Sequence, residues 1–170
     1  MRKLISLLLV LLLVPTFSLA TEVYIEEYGL KFDGPDGYYY EVQHDDESLF
    51  IVLTNEVDVS RGYVLFISEN EDGDSIADLD QERAQTIAGN MVDLLGLAGG
   101  LNFEAMYDED EIVTALVMYD EENTVFALLT YAEDYMLVAI AAADEGVTRE
   151  DISVLENLTM SLEFDDGVME

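Results

Sequence analysis

The sequence predicts an α+β fold: an antiparallel sheet of about six to seven strands covered by two main helices. Three apolar runs between residues 111 and 143 are separated by short acidic turns, a pattern typical of an antiparallel meander. Two other segments, 80–95 and 148–162, repeat apolar side chains at helical spacing. Residues 21–170 are enough to bury one core, so we expect a single α/β sandwich domain, without disulfides because the chain has no cysteine.

The first 20 residues have the composition of a secretory signal peptide. Arg2 and Lys3 precede an apolar run over residues 4–14, which is shorter than the roughly 20 residues that a membrane-spanning helix needs. Small side chains then lead to Ala20, after which we expect cleavage. Without cysteine, the chain has no residue for the lipid anchor of bacterial lipoproteins. We therefore expect an exported protein, periplasmic or extracellular, that is not lipid-anchored and keeps no transmembrane segment after cleavage.

The charge of the chain limits its partners. Cleavage after Ala20 removes two of the six basic residues and none of the 38 acidic ones, leaving a formal net charge of −34 (4 − 38). Nucleic acids and anionic membrane surfaces are polyanions that would repel such a chain, so both are excluded as partners. Because 51% of the residues are hydrophobic and fall in periodic runs, the sequence also differs from that of a disordered acidic chain.

The first elements of the exported chain are predicted to be strands. Residues 21–32 alternate apolar and polar side chains, and residues 33–37 form a turn by composition. A second strand then returns over residues 38–42. Its three consecutive tyrosines, Tyr38, Tyr39 and Tyr40, have two interpretations: a stacking platform for a sugar or base, or a strand whose alternate tyrosines face the core and the solvent. We favour the second, because aromatic residues are common in strands.

Third and fourth strands are predicted over residues 49–53 and 63–68. The polar break before them contains His44, the only histidine of the chain. A histidine beside aspartates could act as a general base or metal ligand, but a lone histidine in an acidic loop is more often a solvated side chain. No G-x-S-x-G motif is present and no cysteine can act as a nucleophile, so neither a serine nor a cysteine hydrolase is expected.

The segment 69–75 is the part of the sequence most similar to a calcium-binding loop, since it places oxygen ligands beside Gly73. With Gly73 at the sixth position of such a loop, the twelfth position, which should be a bidentate glutamate, is Leu79. The alternative is a solvated loop before a helix, whose dipole favours acids near its start. We therefore expect no cofactor and keep Ca²⁺ as the alternative. Its candidate ligands are Glu71, Asp72, Asp74 and Asp78.

The helix predicted over residues 80–95 has one apolar stripe, which includes Ile87, and should lie on the sheet. Asp78 or Asp80 can cap its start, and the glycines from residue 96 onward end it. A further strand is predicted over residues 101–107.

The meander follows, with strands over residues 111–119, 124–131 and 135–143. The third of these strands is apolar on both faces between Met136 and Ala143, which predicts a central strand that is covered on both sides.

A second helix is predicted from residue 148 to residue 162. Thr148 and Asp151 have the spacing of a capping box, with aspartate in the place of the usual glutamate. Leu155 lies on the predicted buried side, and residues 161–164 close the fold.

The order of these elements, with the segments GLKFDGPDGYYYEV and ISVLENLTMSLEF, resembles the PsbP-like and DcrB-like small exported α/β domains. The resemblance covers nearly the whole exported chain. It implies an antiparallel sheet flanked by helices and a binding or accessory role. No functional residue is carried over from it, and the lipidated cysteine of DcrB-type proteins is missing here.

Three functions of different classes follow from the sequence. The first is a secreted, non-catalytic binding or accessory module with a protein or cell-envelope partner. The second is an extracellular cation-binding protein that uses its acidic loops. The third is a carboxylate-dependent hydrolase with a pair of acids at glycosidase-like separation. With 38 acidic residues some pair reaches that separation by chance, so the first function is expected and the chain is not expected to be an enzyme.

Overall fold

A computed structural model describes residues 20–44, 48–55, 57–70, 75–95, 99–107, 113–131 and 135–164. The predicted signal peptide therefore lies outside the described residues except for Ala20. The chain divides into two compact units, one within residues 1–37 and 156–170 and the other Tyr38–Leu155. The expectation of a single domain stays a prediction.

The described residues form ten strands and two α-helices. Their order along the chain is β1 (Ala20–Ile25), β2 (Leu30–Pro35), β3 (Tyr39–His44), β4 (Ser48–Thr54), β5 (Arg61–Glu69), α1 (Gln81–Leu95), β6 (Asn102–Tyr107), β7 (Val113–Tyr119), β8 (Val125–Tyr131), β9 (Tyr135–Ala143), α2 (Arg149–Ser161) and β10 (Glu163–Phe164). No helix within the described ranges combines the length and the apolar character that crossing a membrane would require.

Seven of the strands form one antiparallel sheet in the order β3-β4-β5-β9-β8-β7-β6. The meander is confirmed as β7, β8 and β9, which pair in sequence order. β9 is the middle strand of the seven, and its residues Val138 and Ile140 are fully buried. Leu137 and Ala139, which point to the opposite face, are equally buried, so both faces of this strand are shielded from water. The prediction of a central strand is therefore confirmed.

The other three strands form a separate sheet in the order β1-β2-β10. The sheet prediction holds for the larger sheet only, because the chain has more strands than the six or seven expected, divided between two sheets. The prediction of one strand over residues 21–32 is wrong. A 3-10 turn at Glu26–Tyr28 ends β1, and Gly29 adopts a left-handed conformation with φ 53° that starts β2 in the opposite direction.

The second predicted strand also has a different partner from the expected one. β2 pairs with β1 and β10, whereas β3 pairs with β4, so the chain does not form a hairpin around the turn at residues 36–37. The apolar alternation of a strand identifies the face that it buries but does not identify its neighbour, which explains the error.

Helix α1 packs its apolar stripe on the seven-stranded sheet. Asp80 caps its start, since Asp80 Oδ1 accepts a hydrogen bond of 2.8 Å from the Arg83 N–H. Ala84, Ala88 and Met91 are buried in one cluster with side chains of β7, β8 and β9, and half-buried Ile87 packs against that cluster. The position of the helix on the sheet agrees with its sequence pattern.

Helix α2 begins with the predicted capping box. Asp151 Oδ2 accepts a hydrogen bond of 2.7 Å from the Thr148 N–H, and Thr148 Oγ1 accepts one of 3.4 Å from the Asp151 N–H. Leu155 and Leu158 are fully buried, as the sequence predicts. Near the end of the helix, Ser161 Oγ accepts a hydrogen bond of 2.8 Å from the Asp33 N–H in β2.

Candidate docking surface

The predicted calcium ligands fall largely outside the described residues. Glu71, Asp72 and Asp74 lie outside them, and only the backbone of Asp78 is described, in a 3-10 turn at Ile76–Asp78. Within the described ranges, no three His, Cys, Asp or Glu side chains are grouped as a metal site would require. His44 is exposed at the end of β3. The expectation of no cofactor, with Ca²⁺ at the acidic segment as the alternative, therefore stays a prediction.

Large hydrophobic side chains are exposed mainly at one end of the seven-stranded sheet. In the described part of the unit Tyr38–Leu155, five such side chains are exposed: Tyr39 (60%), Tyr40 (44%), Val57 (97%), Val59 (87%) and Tyr107 (63%). The first four lie where β3 begins and where a loop joins β4 to β5, because Tyr39 pairs with Thr54 and Tyr40 with Leu53. We call Tyr39, Tyr40, Val57 and Val59 the loop-end surface.

The two tyrosines of this surface are exposed because β3 is an edge strand. Tyr39 and Tyr40 point to opposite faces of the sheet, yet neither is buried. The prediction that alternate tyrosines face the core is therefore wrong for this pair. Tyr38 is different, since its ring packs against that of Tyr63 with the ring centroids 5.3 Å apart.

The loop between β4 and β5 is held by two side chains that bond to its own backbone. Asn55 Oδ1 accepts hydrogen bonds from the N–H groups of Val57 (2.8 Å) and Asp58 (3.3 Å). Asp58 Oδ1 accepts from the backbone N–H of Ser60 (3.1 Å) and from its hydroxyl. Such turns fix the backbone without help from a sheet or helix. Val57 and Val59 are thus presented to solvent by an ordered loop.

Arg61 connects this loop to helix α2. Its Nε lies 3.7 Å from Asp58 Oδ2, and its Nη1 donates a hydrogen bond of 2.5 Å to Asp151 Oδ2. Asp151 is the only buried charged residue in the described part of the chain, at 3% exposure. A buried carboxylate needs a charged partner and hydrogen bonds to stay ionised, and Arg61 supplies both.

The Asp151 carboxylate is fully engaged by donors. Besides Arg61, it accepts hydrogen bonds from the Tyr63 hydroxyl (2.9 Å), the Thr148 N–H (2.7 Å) and the Thr148 hydroxyl (2.6 Å). Burial alone would raise the pKa of Asp151, but the hydrogen bonds from Thr148, Arg61 and Tyr63 lower it below the ordinary value. Four donors and a lowered pKa suit a carboxylate that stays charged and fixes structure, rather than one that takes up protons.

The Asp151 carboxylate also affects the pKa values of Tyr63 and Arg61. Burial raises the pKa of the Tyr63 hydroxyl, and the charge of Asp151 raises it further. The hydrogen bond to Asp151 raises the pKa of Arg61, which therefore stays a cation. In Asp58, hydrogen bonds from Ser60 lower the pKa of the carboxyl group. The charges of Asp58, Arg61 and Asp151 are therefore fixed, and their ion pairs connect the loop, β5 and α2.

One face of the sheet is partly apolar near the end of β3 that lies away from the loop-end surface. A cross-strand row runs from Val138 in β9 through Phe66 and Phe50 to Gln43 in β3. Val138 is buried, the two phenylalanines are half-buried with ring centroids 4.9 Å apart, and Gln43 is exposed. Burial therefore decreases toward the β3 edge, where the row ends in a polar side chain.

Sequence reasoning identified only part of this surface. The spacing of Thr148 and Asp151 predicts the cap, and Tyr38, Tyr39 and Tyr40 allow either a stacking platform or, as we favour, a strand with alternating tyrosines. The sequence does not single out Arg61 or Val57. Only four basic residues follow Ala20, but the burial of Asp151 is not visible in the sequence, so nothing there pairs it with Arg61.

Comparisons with known proteins support the fold. No protein-family model matches the chain, and no curated protein matches it. The structure is similar to the solution structure of cyanobacterial PsbP (CyanoP) from Synechocystis sp. PCC 6803, with a TM-score of 0.60 and 13% sequence identity. The alignment covers 89% of this chain and 95% of that chain. At this TM-score and coverage, the chain has a PsbP-like fold.

Proposed function

We propose that the chain is an exported, non-catalytic accessory module that binds a protein partner through the loop-end surface. One observation carries the proposal: four of the five large hydrophobic side chains exposed in the described part of the unit Tyr38–Leu155 are gathered at one end of the sheet. Single exposed apolar residues are common on any protein, whereas a group of them marks an interaction surface.

The order of the loop supports the proposal. Binding costs free energy when flexible groups are fixed, and a surface that is already ordered avoids much of that cost. The Asn55 and Asp58 turns fix the loop before any partner arrives. Burying a valine side chain contributes about 1.5–3 kcal/mol. Val57 and Val59 are 97% and 87% exposed, so a partner that buries them gains nearly all of this free energy.

The aromatic part of the surface points to a protein partner. Tyrosine is enriched at protein interfaces because its ring buries a large apolar area while its hydroxyl stays hydrogen-bonded. The acidic chain repels polyanions, and its formal net charge of −32, signal segment included, favours a basic partner surface. Export, implied by residues 1–20, places this partner in the periplasm or outside the cell.

Position-specific photo-crosslinking in the producing cell tests the proposal. A photoreactive phenylalanine is placed at Val57 or Val59, and at Tyr107 as a matched control that is exposed but outside the loop-end surface. We expect one discrete adduct from the first two positions and not from the third. Asn55→Ala should weaken that adduct, because it removes the acceptor that orders the loop. Equal adducts from all three positions, or none from the loop, would contradict the proposal.

A further inference from the structure

We propose that the partner binds as an extended, basic segment that adds a strand to the open edge of β3. This inference rests on the proposed function and specifies its chemistry. Among the described strands, β3 pairs with β4 alone and ends the seven-stranded sheet. The outward backbone groups of such an edge can pair with another chain.

The two edges of the sheet differ in how they are protected. Proteins usually block an open edge with a bulge, a proline, a lysine or a very short strand. The β6 edge has a register shift between Met106 and Tyr107. β3 pairs with β4 in unbroken register over six residue pairs, and residues 39–44 contain neither proline nor lysine. β6 also lacks both residues, but its register is unbroken only from Asn102 to Met106, so the β3 edge offers the longer regular strand to a partner.

The side chains of β3 also suit a neighbouring strand. Tyr39 and Tyr40 are exposed on opposite faces, so both would flank the side chains of an added strand. Residues directly opposite each other on paired strands lie close enough to contact, and aromatic pairs with β-branched residues are favourable. We expect alternating β-branched residues in the partner segment for this reason.

Charge distinguishes a partner segment from a second copy of the chain. Glu41 is exposed in the middle of β3. A second copy would bring another Glu41 and a formal net charge of −32 to this edge, signal segments included. Like charges placed opposite each other are destabilising, whereas lysine or arginine in the added strand would pair with Glu41.

Amide hydrogen exchange by NMR tests the inference on the exported chain with a defined probe. The probe is a synthetic peptide of alternating valine and threonine with lysine at both ends, and the control peptide has glutamate at both ends. We expect the lysine-ended peptide to slow exchange at alternate amides of residues 39–43, since the other amides already bond to β4. Amides of β6 should not change.

Matched charge variants test the role of Glu41. Glu41→Lys should weaken binding of the lysine-ended peptide by roughly two- to fivefold. Glu122→Lys makes the same charge change at an exposed position between β7 and β8 and should leave that binding nearly unchanged.

The outcomes separate the strand inference from the proposed function. Protection of the Val57 and Val59 amides without alternation on β3 would overturn strand addition and leave docking at the loop-end surface intact. Protection of β3 that rises with protein concentration in the absence of peptide would identify a second copy as the occupant and overturn the basic-segment inference. Absence of amide protection with either peptide would also overturn the basic-segment inference. Loss of position-specific crosslinking from the loop would instead contradict the proposed function.

Discussion

The Arg61 guanidinium donates to the buried carboxylate of Asp151 across 90 residues of sequence, and the two groups lie 2.5 Å apart. Arg61 begins β5 and Asp151 lies in the first turn of α2, so one ion pair joins a strand of the sheet to the start of a helix. Because Asp151 is 3% exposed, this pair is shielded from solvent on the side of the carboxylate. Removing one partner should therefore destabilise the fold more than breaking a surface pair, because the other charge is left without compensation.

Asp151→Asn should destabilise the fold. The amide keeps the shape of the side chain, but it removes the charge that pairs with Arg61 and cannot accept from all four present donors. Hydrogen bonds to charged groups contribute roughly 1.5–3 kcal/mol, so we expect a loss of about 2 kcal/mol in the free energy of unfolding. Urea unfolding measures it.

Asp144→Asn is the control for this substitution. It removes one negative charge from an exposed side chain near the same helix, so it relieves self-repulsion without breaking the network. A wild-type-like or slightly raised stability is expected. Equal effects of the two substitutions would show that Asp151 contributes only its charge.

The effect of Asp151→Asn should depend on pH. The folded-state pKa of Asp151 lies below its ordinary value of 3.8, so its contribution to stability is present above that pH and is lost as the pH falls through the folded-state pKa. Protonation of exposed carboxylates relieves self-repulsion over a similar pH range in wild type and in Asp151→Asn. The difference between wild type and Asp151→Asn should therefore be constant from neutral pH to about 5 and narrow below 3.8. A difference independent of pH down to acid unfolding would contradict this assignment.

Leu155 is more deeply buried than Ile87, so it should tolerate a charged substitution less well. Leu155 is fully buried, so Leu155→Asp should prevent folding, because an unpaired charge in a core costs several kcal/mol. Ile87 is half-buried at the margin of its cluster, and Ile87→Asp should leave a folded but less stable protein because the carboxylate can reach water. Circular dichroism with thermal melting compares the two variants. Wild-type-like melting of Leu155→Asp would contradict the assignment of its helix face.

Local patterns in the sequence predict much of the larger sheet. β9 is apolar on both faces, and such a run between short turns favours a central strand. The capping box of Thr148 and Asp151 is predictable for a related reason, since its bonds join residues that are three apart in the chain. Interactions between residues that are close in the chain can therefore be predicted from the sequence.

The remaining features depend on contacts between distant residues. Nothing local separates the β3 edge from an inner strand, so the exposure of Tyr39 and Tyr40 does not follow from their sequence. The pair of Arg61 and Asp151 is equally hard to predict, because an arginine at the start of a strand can face solvent as well as a buried acid. The turn at Gly29 divides an apolar alternation that reads as continuous.

The acidity of the chain predicts a dependence on salt. A net charge of −34 after cleavage at Ala20, with Lys31 the only lysine left, creates strong self-repulsion in the folded state. Monovalent salt would screen it generally, since the Debye length falls from roughly 10 Å at 0.1 M to 3 Å at 1 M. Calcium at a defined site would instead stabilise by binding the folded state alone.

General screening should dominate, because the acids are spread over many turns and no loop of the sequence matches a calcium motif fully. We expect the melting temperature of residues 21–170 to rise smoothly in a NaCl series and to change little with millimolar CaCl₂ at constant ionic strength. The variant Asp72→Asn with Asp74→Asn removes two candidate ligands, and Glu121→Gln with Glu122→Gln is its charge-matched control. A saturable calcium response that the first pair abolishes and the second preserves would assign the stabilisation to a specific cation site.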